Sequence, residues 1–575
     1  MLLAALLGEE RVGLKVLDEK YHGGLIDDRI HLMLDELWEE RIRAYYSTVA
    51  VEEAKRVIAA RAGERIRKAD TKLLDSLHAI VGAVQPSLAL ARRSGLSARH
   101  GQPERPDVED IPWERLRPYS GADAAVTMRE YRRQMQLPGW DNALRVYRLL
   151  EEPLFPVLHD IETTGIAIDT VRLASADAAI GAESIRVGER LRAILGDYDL
   201  TNPTALREAL FEPTGPLPVL ARTKEGAPST ARGVLEELAI EYPWVADVVE
   251  YRHLNQLRNS FTQGLVKHIV GGRIHGQIRQ LRADRDEESG EQATNTWRLA
   301  SSEPNLQNIP ARGGEHSNIS GDLIRKCFLP DTGTWFAADY SGIEFWIMGH
   351  LAQDPLILDW GNQPLEDGKP FDPHKATARL ALGGKWDTLT DKEQRFWRST
   401  YKNANFLLIF GGGAKRLVQT SRFSISLDDA ERIVQQFWDL HPAIRDYHNR
   451  MIAQARQLGY VETLLGHRRY LPDINSHDNQ ERTRAERQAG NMPVQGTAAD
   501  LIKLAVRHLW ERVPRHTLNN IVHDEIDGSL PTGLTKVDFS AILNDSMVIH
   551  PQSILHLDVP IRIEVGYGPN WGEAK

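Results

Sequence analysis

The stretch Trp335-Phe336-Ala337-Ala338-Asp339-Tyr340 is a short apolar run closing on a carboxylate, with Gly333 before it and Gly342 after it. Aromatic and small apolar residues between glycine breakers read as a β-strand. A second run, Asn520-Ile521-Val522-His523-Asp524-Glu525-Ile526-Asp527-Gly528, reads as a β-hairpin with its acids at the turn. The sequence between the two is predominantly helical. Asp339 and Asp524 thus sit at the ends of strand-like elements far apart in the chain. That arrangement suits a pair of Mg²⁺ ions, which at about 3.5–4 Å apart can activate an attacking hydroxyl and stabilise the leaving oxygen of an in-line phosphoryl transfer. Taken singly, each aspartate reads equally as a turn residue or a helix cap.

A third element lies between them: Arg398-Ser399-Thr400-Tyr401-Lys402-Asn403-Ala404-Asn405-Phe406-Leu407-Leu408-Ile409-Phe410-Gly411. On a helix, positions 398, 402, 406 and 410 advance about 40° per step and share one face about 120° wide. Two cations followed by two flat rings suit a nucleoside triphosphate, its phosphates on the cations and its base or sugar against the rings. The alternative is an ordinary amphipathic helix with core phenylalanines and solvated cations. Gly411-Gly412-Gly413 supplies a helix stop.

The chain has 575 residues, enough for about four domain-sized units. With 42% apolar and 26% charged residues it has the balance of a globular protein, not of a disordered or collagen-like chain. Cys327 is the only cysteine, which excludes an intramolecular disulfide and a thiolate zinc site. The apolar run Leu2 to Leu7 has no basic residue ahead of it, unlike a signal peptide, and no stretch reaches the roughly 18 apolar residues of a membrane span. A soluble, intracellular, cytoplasmic protein is the expectation. Net charge is −10, which argues against nonspecific coating of nucleic acid, yet basic strips at 392–416 and 481–487 are compatible with a local groove. Residues 1–150 read as mostly helical with a Pro-broken stretch from Pro103 to Pro118, and 170–285 as long helices split by a polar turn in which Ser229-Thr230 could cap the next helix.

Trp297-Arg298-Leu299-Ala300-Ser301-Ser302-Glu303-Pro304-Asn305-Leu306-Gln307-Asn308-Ile309-Pro310 resembles the family A DNA polymerases, the DNA polymerase I type. So do Asp339-Tyr340-Ser341-Gly342-Ile343-Glu344 as motif A, the 398–411 helix as motif B, Asn491-Met492-Pro493-Val494-Gln495-Gly496, Val522-His523-Asp524-Glu525 as motif C, and the ending Gly566-Tyr567-Gly568-Pro569-Asn570-Trp571. These stand in family order across 150–575. The resemblance implies DNA-templated addition of deoxynucleotides to a primer 3′ end. Asp339, Asp524 and the backbone carbonyl of Tyr340 would bind two Mg²⁺ ions, with Mn²⁺ able to substitute, and Glu525 would support the site more loosely. Arg398 and Lys402 would hold the triphosphate, Lys402 also protonating departing pyrophosphate. His374 resembles the family's phosphate-contacting histidine. Phe406 would pack on the incoming nucleotide, and Glu344 would block the place a ribose 2′-hydroxyl needs. Arg298, Asn308, Arg487, Asn491, Gln495 and His523 look like residues that touch primer and template, by contacts to backbone and minor groove that tolerate any sequence.

Some positions depart from the family's pattern. Phe410 stands where Tyr is usual, removing a hydroxyl that could orient Glu344; Trp297 stands where Gly is common, Phe345-Trp346 where Leu-Arg is common, and Leu407 where Gly is frequent. The implied fold is α+β and hand-shaped, with an antiparallel palm sheet and helical fingers and thumb. Residues 151–169 would connect into the polymerase region, 170–285 form the thumb, 286–350 and 490–575 the palm, and 351–489 the fingers, with Arg258 and Lys267 gripping duplex phosphates. Residues 1–150 would be a truncated, RNase H-like 3′–5′ exonuclease remnant: Tyr119-Ser120-Gly121-Ala122-Asp123 resembles that domain's last motif, and Met1 to Lys15 its middle. Asp160-Ile161-Glu162 imitates its first motif, but the prolines at 153 and 156 and the helical spacing before it do not make the required strand. The expectation is a monomer acting on primer-template DNA and deoxynucleoside triphosphates without proofreading. Its rivals are a retired polymerase kept as a DNA-binding scaffold and a single-subunit RNA polymerase; Glu344 speaks against the latter.

Overall fold

The computed structural model describes residues 29–60, 106, 108–211, 215–223, 226–280, 296–310, 321–364, 371–420 and 425–574. The Met1 to Lys15 reading lies outside them. Contacts divide the chain into two compact units between Trp140 and Asp141.

The first unit holds helices α1 (Arg29–Ala60) and α2 (Trp113–Gln134). Arg41 pairs with Asp110 at 2.6 Å, and Arg115 pairs with Glu36. The expected break does not reach Pro118, which lies inside α2. Its ring forfeits one main-chain bond near the helix start, and the long unbroken run that follows offsets the loss. Asp123 lies on the same helix.

The second unit takes in residues 141–150, which the sequence places with the remnant. Asn142 Nδ2 donates to Gly466 O and Arg145 Nη2 to Leu465 O, each at 2.8 Å, and Ala143, Val146 and Leu150 are buried in the unit's main core. Helix α3 (Phe155–Thr164) carries Asp160, so this segment is helical, as its prolines imply. Asp160 is occupied structurally: Trp510 Nε1 donates to its Oδ2 at 2.8 Å and His516 N at 3.3 Å. Helix α4 (Thr170–Leu195), capped by the Asp169 side chain, packs on α5 (Val245–Gln256). The helix at Arg232–Glu241 takes Ala231 as its cap, with no side-chain cap bond; Ser229 Oγ instead accepts from Ala231 N at 3.3 Å. Nor is 170–285 wholly helical: Ile269–Val270 and Arg273–Ile274 form a hairpin, turned by Gly271 and Gly272 at φ 57° and 79°. It belongs to a small antiparallel sheet with Ile166–Ile168 and Phe328–Leu329. The positive φ of the glycine pair stops any helix there.

Strands β1 (Trp335–Tyr340), β2 (Leu518–Val522), β3 (Glu525–Ser529) and β4 (Ile563–Gly568) form the central sheet in the order β2-β3-β1-β4, every pairing antiparallel. All of β2 and β3, and all of β1 except Asp339, are buried; this accounts for the apolar run of β1, while β2 and β3 bury the polar Asn519, Asn520, Glu525, Asp527 and Ser529. Helix α6 (Ile343–Ala352) leaves β1 after Gly342 and buries Ile343, Phe345, Trp346, Ile347 and Met348. Helices α7 (Pro373–Leu382) and α8 (Asp391–Ile409) pack together, and the long α9 (Asn479–Arg512) packs on α6 and contains Pro493. α8 opens on a capping box between Thr390 and Glu393 and stops at Ile409, so Phe410 is the first residue past it, ahead of Gly411 at φ 75°.

Candidate functional site

The sheet register brings the acidic residues together. Asp339 lies opposite Glu525 on β3 and opposite Glu564 on β4. His523, at φ 57°, and Asp524 form the tight turn between β2 and β3, and Tyr340 N donates to Asp524 O at 3.3 Å, fastening that turn to the end of β1. Asp339 and Asp524 are both partly buried. Burial, then the charge of Asp339, push the Asp524 carboxyl up to about 6, and Glu344 adds to the same effect. Like charges held together out of water are what a divalent cation relieves, and a hard oxygen donor set suits Mg²⁺. The carbonyl of Tyr340 accepts from Gly342 N at 3.0 Å and keeps a second lone pair. Among the described residues no cluster of three or more His, Cys, Asp or Glu side chains is arranged to hold a metal ion.

Glu525 is buried beneath the pair, where Trp571 Nε1 donates to its Oε1 at 3.3 Å. Trp335 Nε1 donates to Asp527 Oδ1 at 3.3 Å, and burial with the neighbouring Glu525 pushes the Asp527 acid well above the carboxylate range. Arg325 stacks on Trp571 at 4.2 Å and donates to Ile309 O. Sequence reading missed this floor, because Arg325 and Trp571 meet only through the sheet.

Glu344, in the first turn of α6, pairs with Arg298. Burial pushes the Glu344 carboxyl up and Arg298 opposes it. Arg298 is therefore engaged with the residue read as the sugar gate. Phe406 reaches the same place from α8: a Cβ on Gly342 would lie 3.9 Å from Phe406 Cζ. The departures Phe345 and Trp346 pack behind: Phe345 meets Trp346 edge-on at 5.6 Å and His374 at 5.8 Å, and Trp346 Nε1 donates to Ser341 O at 3.2 Å. Leu407 O accepts from Gly412 N at 3.0 Å in the turn that ends α8.

On the outer part of that face Arg398 and Lys402 are exposed. Arg398 pairs with Asp372, whose side chain also caps α7 by accepting from His374 N at 3.1 Å and Lys375 N at 3.0 Å. Burial works against that carboxylate, but Arg398 and the cap N–H hold it below its usual range. Lys402 makes no ion pair with the described residues. His374 is buried against Phe406, with ring centroids 5.5 Å apart, and its Nδ1 lies 3.1 Å from Asn405 Nδ2. Burial, opposed by Asp372 and aided by Lys402 and Arg398, brings the ring down to about 4, so it is neutral at physiological pH. Arg398, Lys402, His374 and Phe406 thus share one cationic, aromatic face, of which Phe406 approaches Gly342. Asp372 and Asn405 were not legible as parts of it.

The residues read as DNA contacts are more dispersed. Asn308, Arg487, His523 and Lys267 are exposed, and Gln495 is partly buried on α9. Asn491 Nδ2 donates to Phe410 O at 3.3 Å, joining α9 to the end of α8. Arg258 is held by Asp177, Nε to Oδ1 at 3.1 Å, so a phosphate would have to compete for it. Trp297 is not at the surface: it stacks on His467 at 4.6 Å and 22° over a buried group of Glu151, His467, Asp500 and Lys503.

Residues 171–573 match the model of the family described as DNA polymerase family A. The chain is 35% identical over 443 residues to the thermostable DNA polymerase I of Thermus filiformis, covering 76% of this chain and 49% of that one. It is 34% identical over 441 residues to DNA polymerase I of Geobacillus stearothermophilus, covering 75% and 46%. The chain spans about half the length of the curated relatives it matches. Among solved structures it is similar to the POL domain of Pol1 from M. smegmatis in complex with DNA primer-template and dNTP, with a TM-score of 0.66 at 28% identity, covering 83% of this chain and 78% of that one.

Proposed function

We propose that this chain, which belongs to DNA polymerase family A, extends a DNA primer on a DNA template with deoxynucleoside triphosphates. The observation that carries the reading is that the β1 end and the β2–β3 turn bring Asp339 and Asp524 together, while Phe406 on the α8 face that also bears Arg398 and Lys402 approaches Gly342, three residues beyond Asp339. Asp339, Asp524 and the Tyr340 carbonyl would hold two Mg²⁺ ions, or Mn²⁺ in their place, which when bound supply a lowered pKa for the primer hydroxyl and charge neutralisation for the phosphates. Arg398 exchanges Asp372 for the triphosphate, and Lys402 donates a proton to the leaving pyrophosphate. Phe406 stacks beside the nucleotide. Glu344, aimed by Arg298, fills the space of a ribose 2′-hydroxyl and so selects deoxyribose.

In the hand-shaped arrangement 170–285 acts as thumb, 351–489 as fingers and 286–350 with 490–575 as palm. Closure of α8 over a correct pair is the conformational step. Asn308, Arg487, Asn491, Gln495, His523, Arg258 and Lys267 contact primer-template DNA. The reading is of a polymerase without proofreading, in which Asp160, the imitator of the exonuclease's first motif, is held structurally by Trp510 and His516 N. The test is primer extension with Mg²⁺, run with deoxy- and ribonucleotides and followed by incubation of a mismatched 3′ end without nucleotides. Deoxynucleotide extension without shortening is expected. Binding without extension would mark a scaffold, and preferred ribonucleotide use an RNA polymerase.

A further inference from the structure

Asn405 is fully buried on the inner side of α8 and makes two contacts through one nitrogen. Its Nδ2 lies 3.0 Å from Thr377 Oγ1 and 3.1 Å from His374 Nδ1. Thr377 Oγ1 in turn donates to Pro373 O at 2.8 Å. A hydroxyl has one proton, and here it is committed to the α7 backbone, so Thr377 Oγ1 faces Asn405 as an acceptor. The two amide hydrogens of Asn405 then go one to Thr377 and one to His374. Receiving a hydrogen, Nδ1 of the ring carries none, and the neutral imidazole must hold its proton on Nε2. Turning the amide over would set oxygen against the lone pairs of Thr377 and leave the buried NH₂ bare. The observed orientation leaves only Oδ1 without a partner, which is the cheaper defect.

We infer that Asn405 is a positioning residue that locks His374 in its Nε2–H tautomer, making the ring a permanent hydrogen-bond donor to triphosphate oxygen. The inference rests on the reading of His374 as a phosphate contact and adds how its proton is placed. The charged groups around the ring are Asp372, Arg398 and Lys402, with Phe345 and Phe406 against its faces and edges. None of the three supplies a hydrogen bond to Nδ1; Asn405 does.

The test measures KM for the nucleotide and kcat on primer-template for Asn405→Leu, Asn405→Asp, His374→Ala and the Asn405→Leu/His374→Ala double variant, from pH 6 to 9. Asn405→Leu is expected to raise KM about five- to tenfold with kcat little changed, the size of one lost hydrogen bond. In the His374→Ala background the same change should do nothing further, since Asn405 acts through the ring. Asn405→Asp accepts the Nδ1 proton instead, so its KM should climb with pH as the ring loses its Nε2 proton, whereas the wild-type KM stays level. Should Asn405→Leu fail to fold, Thr377→Val loosens the same amide and should raise KM in the same direction. An Asn405→Leu effect of equal size in both backgrounds, or none beside a clear His374→Ala effect, overturns the inference alone. No KM change in His374→Ala overturns the phosphate-contact reading itself.

Discussion

Two groups of charges in the second unit are built on opposite terms. At the end of β1, Asp339, Asp524 and Glu344 bring like charge together at partial burial, with Arg298 beside them; burial and the neighbouring acids push Asp524 up, and burial pushes Glu344 up against Arg298. Beneath Trp297, by contrast, Glu151, His467, Asp500 and Lys503 are fully buried and paired with one another. Lys503 pairs with Glu151; His467 Nε2 lies 2.8 Å from Glu151 Oε1 while its Nδ1 meets Asp500; Thr463 Oγ1 and Gln280 Nε2 complete the carboxylates. Burial opposes the Glu151 charge, yet Lys503 and His467 hold that carboxyl at about 2. Opposite charges paired in a dry interior fix structure, and like charges gathered at a cleft favour the binding of a cation. The difference also separates stability from function, which makes it open to experiment.

The largest effect is expected from Asp339→Ala. Single-turnover primer extension should fall by at least about 10³-fold while binding of labelled duplex persists, because the change removes one of the two carboxylates proposed to hold the metal ions. Extension at the wild-type rate would remove Asp339 from the chemistry.

Breaking the compensated group should do the reverse. Lys503→Met strands Glu151 and should cost about 3–5 kcal/mol in urea unfolding at neutral pH. The pH dependence follows from the sign of the shift. Glu151 is lowered from 4.5 to about 2 in the folded protein, so its contribution is complete above pH 4.5 and is lost as pH falls toward 2. The deficit of Lys503→Met should therefore shrink in acid, where Glu151 takes up a proton; a deficit constant between pH 7 and 3 would contradict the ion-pair account.

Smaller effects sharpen the cleft. Glu344→Ala should reduce discrimination against ribonucleotides by about 10–10²-fold, since it removes a steric block while leaving the carboxylate pair. An unchanged ratio in competition assays would take Glu344 out of the gate. Phe406→Tyr should raise dideoxynucleotide incorporation severalfold with little change in deoxynucleotide rate, and an unmoved dideoxy ratio would reject its place beside the nucleotide.

Much of the cleft was legible because it rests on local pattern. β1 and the β2–β3 turn follow from short apolar runs between breakers, and the α8 face from 3.6-residue spacing. What was not legible depends on elements brought from a distance. Nothing local marks Arg298 as the partner of Glu344, or Glu151 as a buried anion neutralised by Lys503. Asn405 and Thr377 carry ordinary helix side chains until α7 and α8 pack. The division at Asp141 was missed for a similar reason: residues 141–150 are apolar in a helical rhythm that suits either unit, and only the bonds to Leu465 and Gly466 decide.

Asp524→Asn separates the two groups of charge in one protein, with extension and stability read on the same preparation. It removes a charge the fold holds at a disadvantage and keeps the side chain's shape. The account predicts unfolding free energy equal to or above wild type together with extension reduced by at least about 10³-fold. Retained extension, or a loss of stability as large as that of Lys503→Met, would contradict it.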